Sequence, residues 1–187
     1  MLSALSDAII SWTKSDAALI EALGHGRRNI SDVDVSGTTG FFLSYNPVIV
    51  GRSEELALDV HLKSIENSLD KGWAYDNIRF YHSDETTREA FDVFPKAQVL
   101  FNFVGREIEA SGDELFQVSD EYRGTEIDPH GARDHLLSII AIIKNEQLHI
   151  TFVYSKDYHH RDEIEYLSRN VLKQLELISV QLEQGSI

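Results

Sequence analysis

The chain has 187 residues, enough for one domain or two small ones, and 42% of them are hydrophobic, so a substantial core can form. Its 31 acidic against 17 basic residues give a net charge of -14, which repels phosphate backbones and gives no attraction to anionic lipid; neither nucleic acid nor membrane is expected as a partner. With no cysteine, disulfides, thiolate nucleophiles and thiolate-held zinc are excluded. Met1 to Asp7 lack a basic stretch followed by an apolar one, and no apolar run nears the ~18 residues of a membrane span. A soluble, cytoplasmic protein is expected.

Leu5, Ala8, Ile9 and Trp12 recur at helical spacing and predict a helix over 2–13. Residues 17–23 either continue it or form a strand ending at Gly24-His25-Gly26. The polar stretch 29–39 reads as a loop. Residues 41–50 are aromatic and β-branched, and Pro47, which cannot donate to a ladder, marks an edge strand or a bulge. Ser53 is a good N-cap for a helix whose apolar face is Leu58, Leu62, Ile65 and Leu69 and which Gly72 ends. Residues 73–81 are aromatic-rich and ambiguous, and 82–95 read as a charged connection.

A strand over 98–104 follows, then a shorter one over 115–118 and a loop over 119–134. Residues 136–143 and 147–154 are both strand-like, and the break at Lys144-Asn145-Glu146 makes them a hairpin. Ile164, Leu167, Val171, Leu175, Ile178 and Leu182 form one stripe along the last helix. This order implies an α+β fold: a mostly antiparallel or mixed sheet with helices packed on one face.

Val99-Leu100-Phe101-Asn102-Phe103-Val104-Gly105 reads as a short buried strand with an asparagine in its middle. A buried amide must find partners or cost about 1–3 kcal/mol. Asn102 is therefore either structural, bonding a neighbouring loop, or a polar group carried to the floor of a cleft. Three histidine segments invite acid–base or metal chemistry. His159-His160-Arg161-Asp162-Glu163 reads as a solvated helix start, because adjacent histidines diverge and cannot easily share a metal. His130-Gly131-Ala132-Arg133-Asp134 has an H-x-x-x-D spacing used by acyltransferases, but His135 follows where those motifs usually place glycine, so it reads first as an ordinary loop. Gly24-His25-Gly26-Arg27 reads as a tight turn, or as a place where backbone approaches a ligand. No metal site is expected.

Taken in order, Gly24-His25-Gly26-Arg27, Thr39-Gly40-Phe41-Phe42-Leu43-Ser44-Tyr45-Asn46-Pro47-Val48, Lys71-Gly72-Trp73-Ala74-Tyr75 and Phe101-Asn102-Phe103-Val104-Gly105 form a pattern, framed by Leu5 to Trp12 and the strand Leu148 to Tyr154. It resembles the C-terminal half of the condensation and epimerization domains of nonribosomal peptide synthetases. The matching motifs there read roughly G-H-G-R, T-V-G-W-F-T-x-x-Y-P-V, K-G-x-G-Y-G and F-N-Y-L-G. The resemblance covers nearly the whole chain and implies a single domain over 1–187, one chloramphenicol acetyltransferase-like lobe of two. The H-H-x-x-x-D-G motif belongs to the other, N-terminal lobe, and His159-His160 is not that motif.

The resemblance implies Asn102 and His25 as catalytic candidates. It implies Asn102, Phe103, Tyr45, Trp73 and Tyr75 as substrate-binding positions. It also implies that no cofactor is bound directly: the substrate would be an aminoacyl or peptidyl thioester on the phosphopantetheine arm of a peptidyl carrier protein. The implied partners are that carrier and an N-terminal lobe or synthetase module, and the exposed lobe surface makes homodimerisation an expectation too. Some positions depart from the pattern. Leu23 stands where epimerization-type domains place an acidic residue, with Glu21 two residues away, on the same face if this segment is a strand. Phe103 lacks the tyrosine hydroxyl, and Ala74 and Asp76 replace glycines. Three functions remain open: a lobe active only with its partner lobe, a catalytically dead binding or assembly module, and a homo-oligomeric acyltransferase using His130 or His25.

Overall fold

The alternating and helical periods resolve into five strands and five helices among the described residues of a computed structural model. Those residues are 1–27, 34–52, 58–70, 72–107, 124, 128 and 131–184, with the side chains of 58, 59, 70, 72 and 73 left aside. In chain order the elements are α1 (Leu2–Thr13), β1 (Ala17–Gly24), β2 (Ser44–Gly51), α2 (Leu58–Asp70), α3 (Gly72–Tyr81), α4 (Glu85–Asp92), β3 (Val99–Arg106), β4 (Leu137–Lys144), β5 (Gln147–Tyr154) and α5 (Arg161–Gln184).

The strands form one mixed sheet in the order β2-β1-β3-β4-β5. β1, β3 and β4 run parallel, and β2 and β5 pair antiparallel to its flanks. The ambiguity over residues 17–23 resolves to strand. Ala18, Ile20 and Ala22 are buried at every second position, a period that a helix cannot bury. Pro47 does lie on an edge strand, where its missing N–H removes no ladder bond.

One face of the sheet carries the core. Ile20, Val48, Val50, Phe101, Leu137 and Ile139 meet Leu5, Ile9 and Ile10 of α1, Ile65 of α2, and Ile164, Leu167 and Val171 of α5. The helical stripe of α5 is buried at Ile164, Leu167 and Val171, half-buried at Leu175 and Ile178, and exposed at Leu182. His160 is the residue before α5, and its backbone N–H donates to Glu163 Oε2 at 3.0 Å, so the His-His-Arg-Asp-Glu segment is a helix start. The turn between β4 and β5 is two residues long, Asn145 and Glu146, both left-handed with φ 47° and 60°, as a tight twisted hairpin demands.

Three local expectations change. Residues 82–95 contain α4, which the sparse apolar pattern hides. Its start is set by Asp84, whose Oδ2 accepts from the Thr87 N–H and from both threonine hydroxyls of Thr86 and Thr87. Residues 73–81 are helical, and Gly72 opens α3 rather than only closing α2. β2 begins at Ser44, not at residue 41, because Arg27 gathers the chain before it: Nη1 donates to the carbonyls of Val35 (3.1 Å) and Thr38 (2.6 Å), and Nη2 to Gly40. A loop drawn around a guanidinium cannot extend along β1. The Ser53 cap, the 115–118 strand and His130 lie outside the described residues.

Candidate functional site

A cavity of about 490 Å³ opens where the parallel strands β1 and β3 end, between the sheet, the first turn of α1 and the inner face of α2. The size suits a small organic group, and carboxyl ends of parallel strands are where open sheets bind ligands. Leu62, Ile65 and Leu69 from α2 and Phe101 and Phe103 from β3 give it an apolar wall. Gly24, His25 and Gly26 form its rim beside Ser44 and Asn46 of β2.

The rim is built by backbone requirements. Gly26 has φ +62°, and a Cβ there would fall 2.6 Å from the Phe42 carbonyl carbon and closer still to its oxygen. On Gly24 a Cβ would meet Asn46 Nδ2 and Ser44 Oγ, each at 2.7 Å. Arg27 is committed to the loop carbonyls and also stacks 4.3 Å over the Phe42 ring. The Gly-His-Gly-Arg segment is therefore both a tight turn and a wall of the cavity. His25 stands exposed at that wall, with Nδ1 accepting the Arg27 N–H at 3.1 Å.

β3 alternates, so its residues divide between two faces. Phe101 and Phe103 point to the cavity side. Asn102 is half-buried and pairs with Ile140 on the other face. A bulge at Val104, with Gly105 at φ +98°, ends this alternation. Tyr45 likewise turns away from Asn46 and is paired opposite Leu23. Its backbone N–H donates to Asp76 Oδ2 at 3.3 Å, so α3 covers the outer edge of β2. Burial raises the Asp76 carboxyl above its ordinary range, opposed by that N–H and by Arg79. Tyr75 stacks on Phe91 of α4, ring centroids 5.4 Å apart, and Trp73 belongs to α3 with its side chain outside the described set. Among the expected site residues, the structure brings His25 and Phe103 to the cavity and leaves Asn102, Tyr45 and Tyr75 off its wall.

Two groups around this region escape the sequence reading. Ser3 Oγ and Asn46 Oδ1 are buried without a partner, and both residues line the cavity. Asn46 is legible in principle: it shares the alternation of Val48 and Val50, so it faces the core. The second is Glu21, whose Oε2 lies 2.6 Å from His135 Nε2, a mostly buried hydrogen-bonded pair joining residues 114 apart in sequence. No local pattern foretells such a pairing. Among the described residues no cluster of acidic or histidine side chains is arranged to hold a metal. None of the helices there is long and apolar enough to cross a membrane.

Three of the motif segments thus meet at one cavity in an α+β fold, and the condensation-domain profile matches residues 1–186. The chain belongs to the condensation domain family. Its relatives include gramicidin synthases. A linear gramicidin synthase of Brevibacillus parabrevis is 30% identical over 181 residues, which are 94% of this chain and 2% of that protein. Gramicidin S synthase 1 of Brevibacillus brevis is 28% identical over 188 residues, 94% of this chain and 17% of that protein. The chain therefore spans a small part of the relatives it matches. In solved structures it is similar to the epimerization domain from the third module of tyrocidine synthetase B, with a TM-score of 0.77 and 25% identity, over 95% of this chain and 40% of that one. The starter condensation domain of the rhizomide synthetase shares the fold at a TM-score of 0.62 and 11% identity. This is the chloramphenicol acetyltransferase-like fold class of condensation and epimerization domains of nonribosomal peptide synthetases.

Proposed function

We propose that this chain is the C-terminal lobe of a condensation- or epimerization-type unit and forms one wall of the cleft that receives carrier-bound aminoacyl or peptidyl thioesters. One observation carries the reading. Gly24-His25-Gly26, Ser44 with Asn46, and Phe101 with Phe103 come from separate motif segments and converge on one cavity. The match to 40% of an epimerization domain supports a part of such a unit rather than the whole. On this reading the phosphopantetheine arm belongs to the carrier and enters as substrate, while the chain supplies shape and apolar wall.

Leu23 and Phe103 favour a second reading within the same family, a binding or assembly module without chemistry of its own. Leucine cannot exchange a proton, and phenylalanine offers no hydroxyl. The test adds a purified lobe bearing H-H-x-x-x-D-G in trans and follows dipeptide formation and α-carbon epimerisation on aminoacyl-loaded carrier protein. The lobe reading expects turnover only with both pieces present. Turnover by this chain alone sinks it, and carrier binding without turnover in any pairing moves the conclusion to the assembly module.

A further inference from the structure

The two edges of the sheet are built differently. On β2, Pro47 has no N–H to offer, and the Tyr45 N–H is taken by Asp76 of α3. β5 has no such guard. From Gln147 to Tyr154 it carries no Asp, Glu, Lys, Arg or Pro, and its pairing with β4 runs without a bulge. Among the described residues no further strand or backbone hydrogen bond lies on its outer side. Sheet edges are normally blunted by such means, because an open row of N–H and C=O groups is a template for another strand. The two-residue turn at Asn145-Glu146 fixes which groups are open. Lys144 and Gln147 flank it and exchange both backbone bonds, so every second residue from Gln147 bonds to β4. The N–H and C=O of Leu148, Ile150, Phe152 and Tyr154 therefore point outward. Their side chains lie on the core face, yet Leu148 is 41% exposed and the other three are only half-buried.

We infer that β5 is a homodimer seam: a second copy of this chain adds its own β5 antiparallel across a two-fold axis and joins the two sheets into one. One register engages all four outward residues. It sets Leu148 opposite the partner's Tyr154 and Ile150 opposite the partner's Phe152, with Thr151 on the axis against its own copy. Aliphatic against aromatic on one face and threonine against threonine on the other are pairings that hold adjacent strands together. Charge favours a second copy as the occupant. The net charge of -14 is spread elsewhere. At the start of β5 the charged side chains are already paired within the chain, Lys144 with Glu107 and Glu146 with Arg106. Just past its end stand one charge of each sign, Lys156 and Asp157. Antiparallel pairing of the strand with itself therefore gathers no like charge at the seam. No residue of β5 lines the cavity, so pairing leaves it open in both copies, and the inference stands apart from the proposed function.

The test is sedimentation equilibrium of the full chain, with single cysteines as position markers, since the sequence has none of its own. A reversible dimer is expected. Thr151→Cys, exposed and on the axis, should cross-link that dimer under mild oxidation, because facing residues of a non-hydrogen-bonded pair lie within disulfide reach. His149→Cys faces the partner's Val153 rather than its own copy and should stay uncross-linked. Leu148→Pro removes an outward N–H from each copy while sparing the bonds to β4, and should weaken the dimer at least about tenfold. Thr151→Lys sets like charges against each other at an exposed position; it should weaken the dimer several-fold and decides the matter if the proline variant does not fold. A chain that stays monomeric overturns the seam. So does a dimer that the folded variants leave unchanged, or cross-linking as ready with His149→Cys as with Thr151→Cys.

Discussion

The Gly26 turn offers a graded test of how the cavity rim is held. Gly26 combines a left-handed φ with a Cβ position already occupied by the Phe42 carbonyl. Gly105 has a φ of +98° but open space around its missing Cβ. Gly37 has open space and no left-handed requirement. Alanine at each site therefore isolates one cause at a time. At Gly37 the effect is loss of unfolded-chain entropy alone, and stability should rise by about 0.4–1 kcal/mol. At Gly105 left-handed strain should cost about 1–2 kcal/mol. At Gly26 the same strain applies, and the Phe42 carbonyl must also move. That motion carries away the ring beneath Arg27 and loosens the guanidinium's bonds to Val35, Thr38 and Gly40, each contributing about 1 kcal/mol. A loss of about 3 kcal/mol or more is expected, read as a drop in urea midpoint at constant slope. If Gly26→Ala falls within about 0.5 kcal/mol of Gly105→Ala, the carbonyl clash is not what holds the rim, and the argument fails.

Leu167 of α5 is fully buried in the core, so Leu167→Ala should cost about 2–5 kcal/mol; a loss below about 1 kcal/mol in a urea melt would mean that α5 is not docked as described. A double-mutant cycle of Glu21→Gln and His135→Ala should give a coupling of about 1 kcal/mol, and additive effects would show that the 2.6 Å pair is not made in solution. Hydrogen bonds from the Thr87 and Thr86 hydroxyls hold the Asp84 carboxyl down at about 2, against 3.8 for the free group. Its contribution to α4 is therefore present above pH 3.8 and fades as the pH falls through about 2; carboxyl NMR that finds an ordinary midpoint at Asp84 would refute this cap.

Several elements are readable from local pattern. The stripe of α5, the alternation of β5 and the turn at Asn145-Glu146 each follow from periods and backbone preferences that act within a few residues. Pro47 announces an edge strand for the same reason, since a missing N–H is tolerable only where no ladder bond is required. The ordered motif segments supply the family, because their order and spacing hold without any knowledge of contacts. α4 is hidden, since its cap is local but its apolar face is little more than Phe91, stacked on Tyr75 from another helix.

Strand pairing settles what local pattern leaves open. Asn102 reads in sequence either as a structural amide or as the polar group of a cleft; β3 sits in a register that turns its neighbours Phe101 and Phe103 to this cavity and Asn102 to the opposite face. Asn46, which the motif pattern does not mark as a site residue, takes the buried place. Both outcomes follow from one rule: successive side chains on a strand point to opposite sides, and which side becomes a cavity depends on the helices laid over it. Composition and period make the helices, the strands and their apolar faces. Only the packing of α1 and α2 over the ends of β1 and β3 decides which residues share a wall, and only the fold can bring His135 to Glu21.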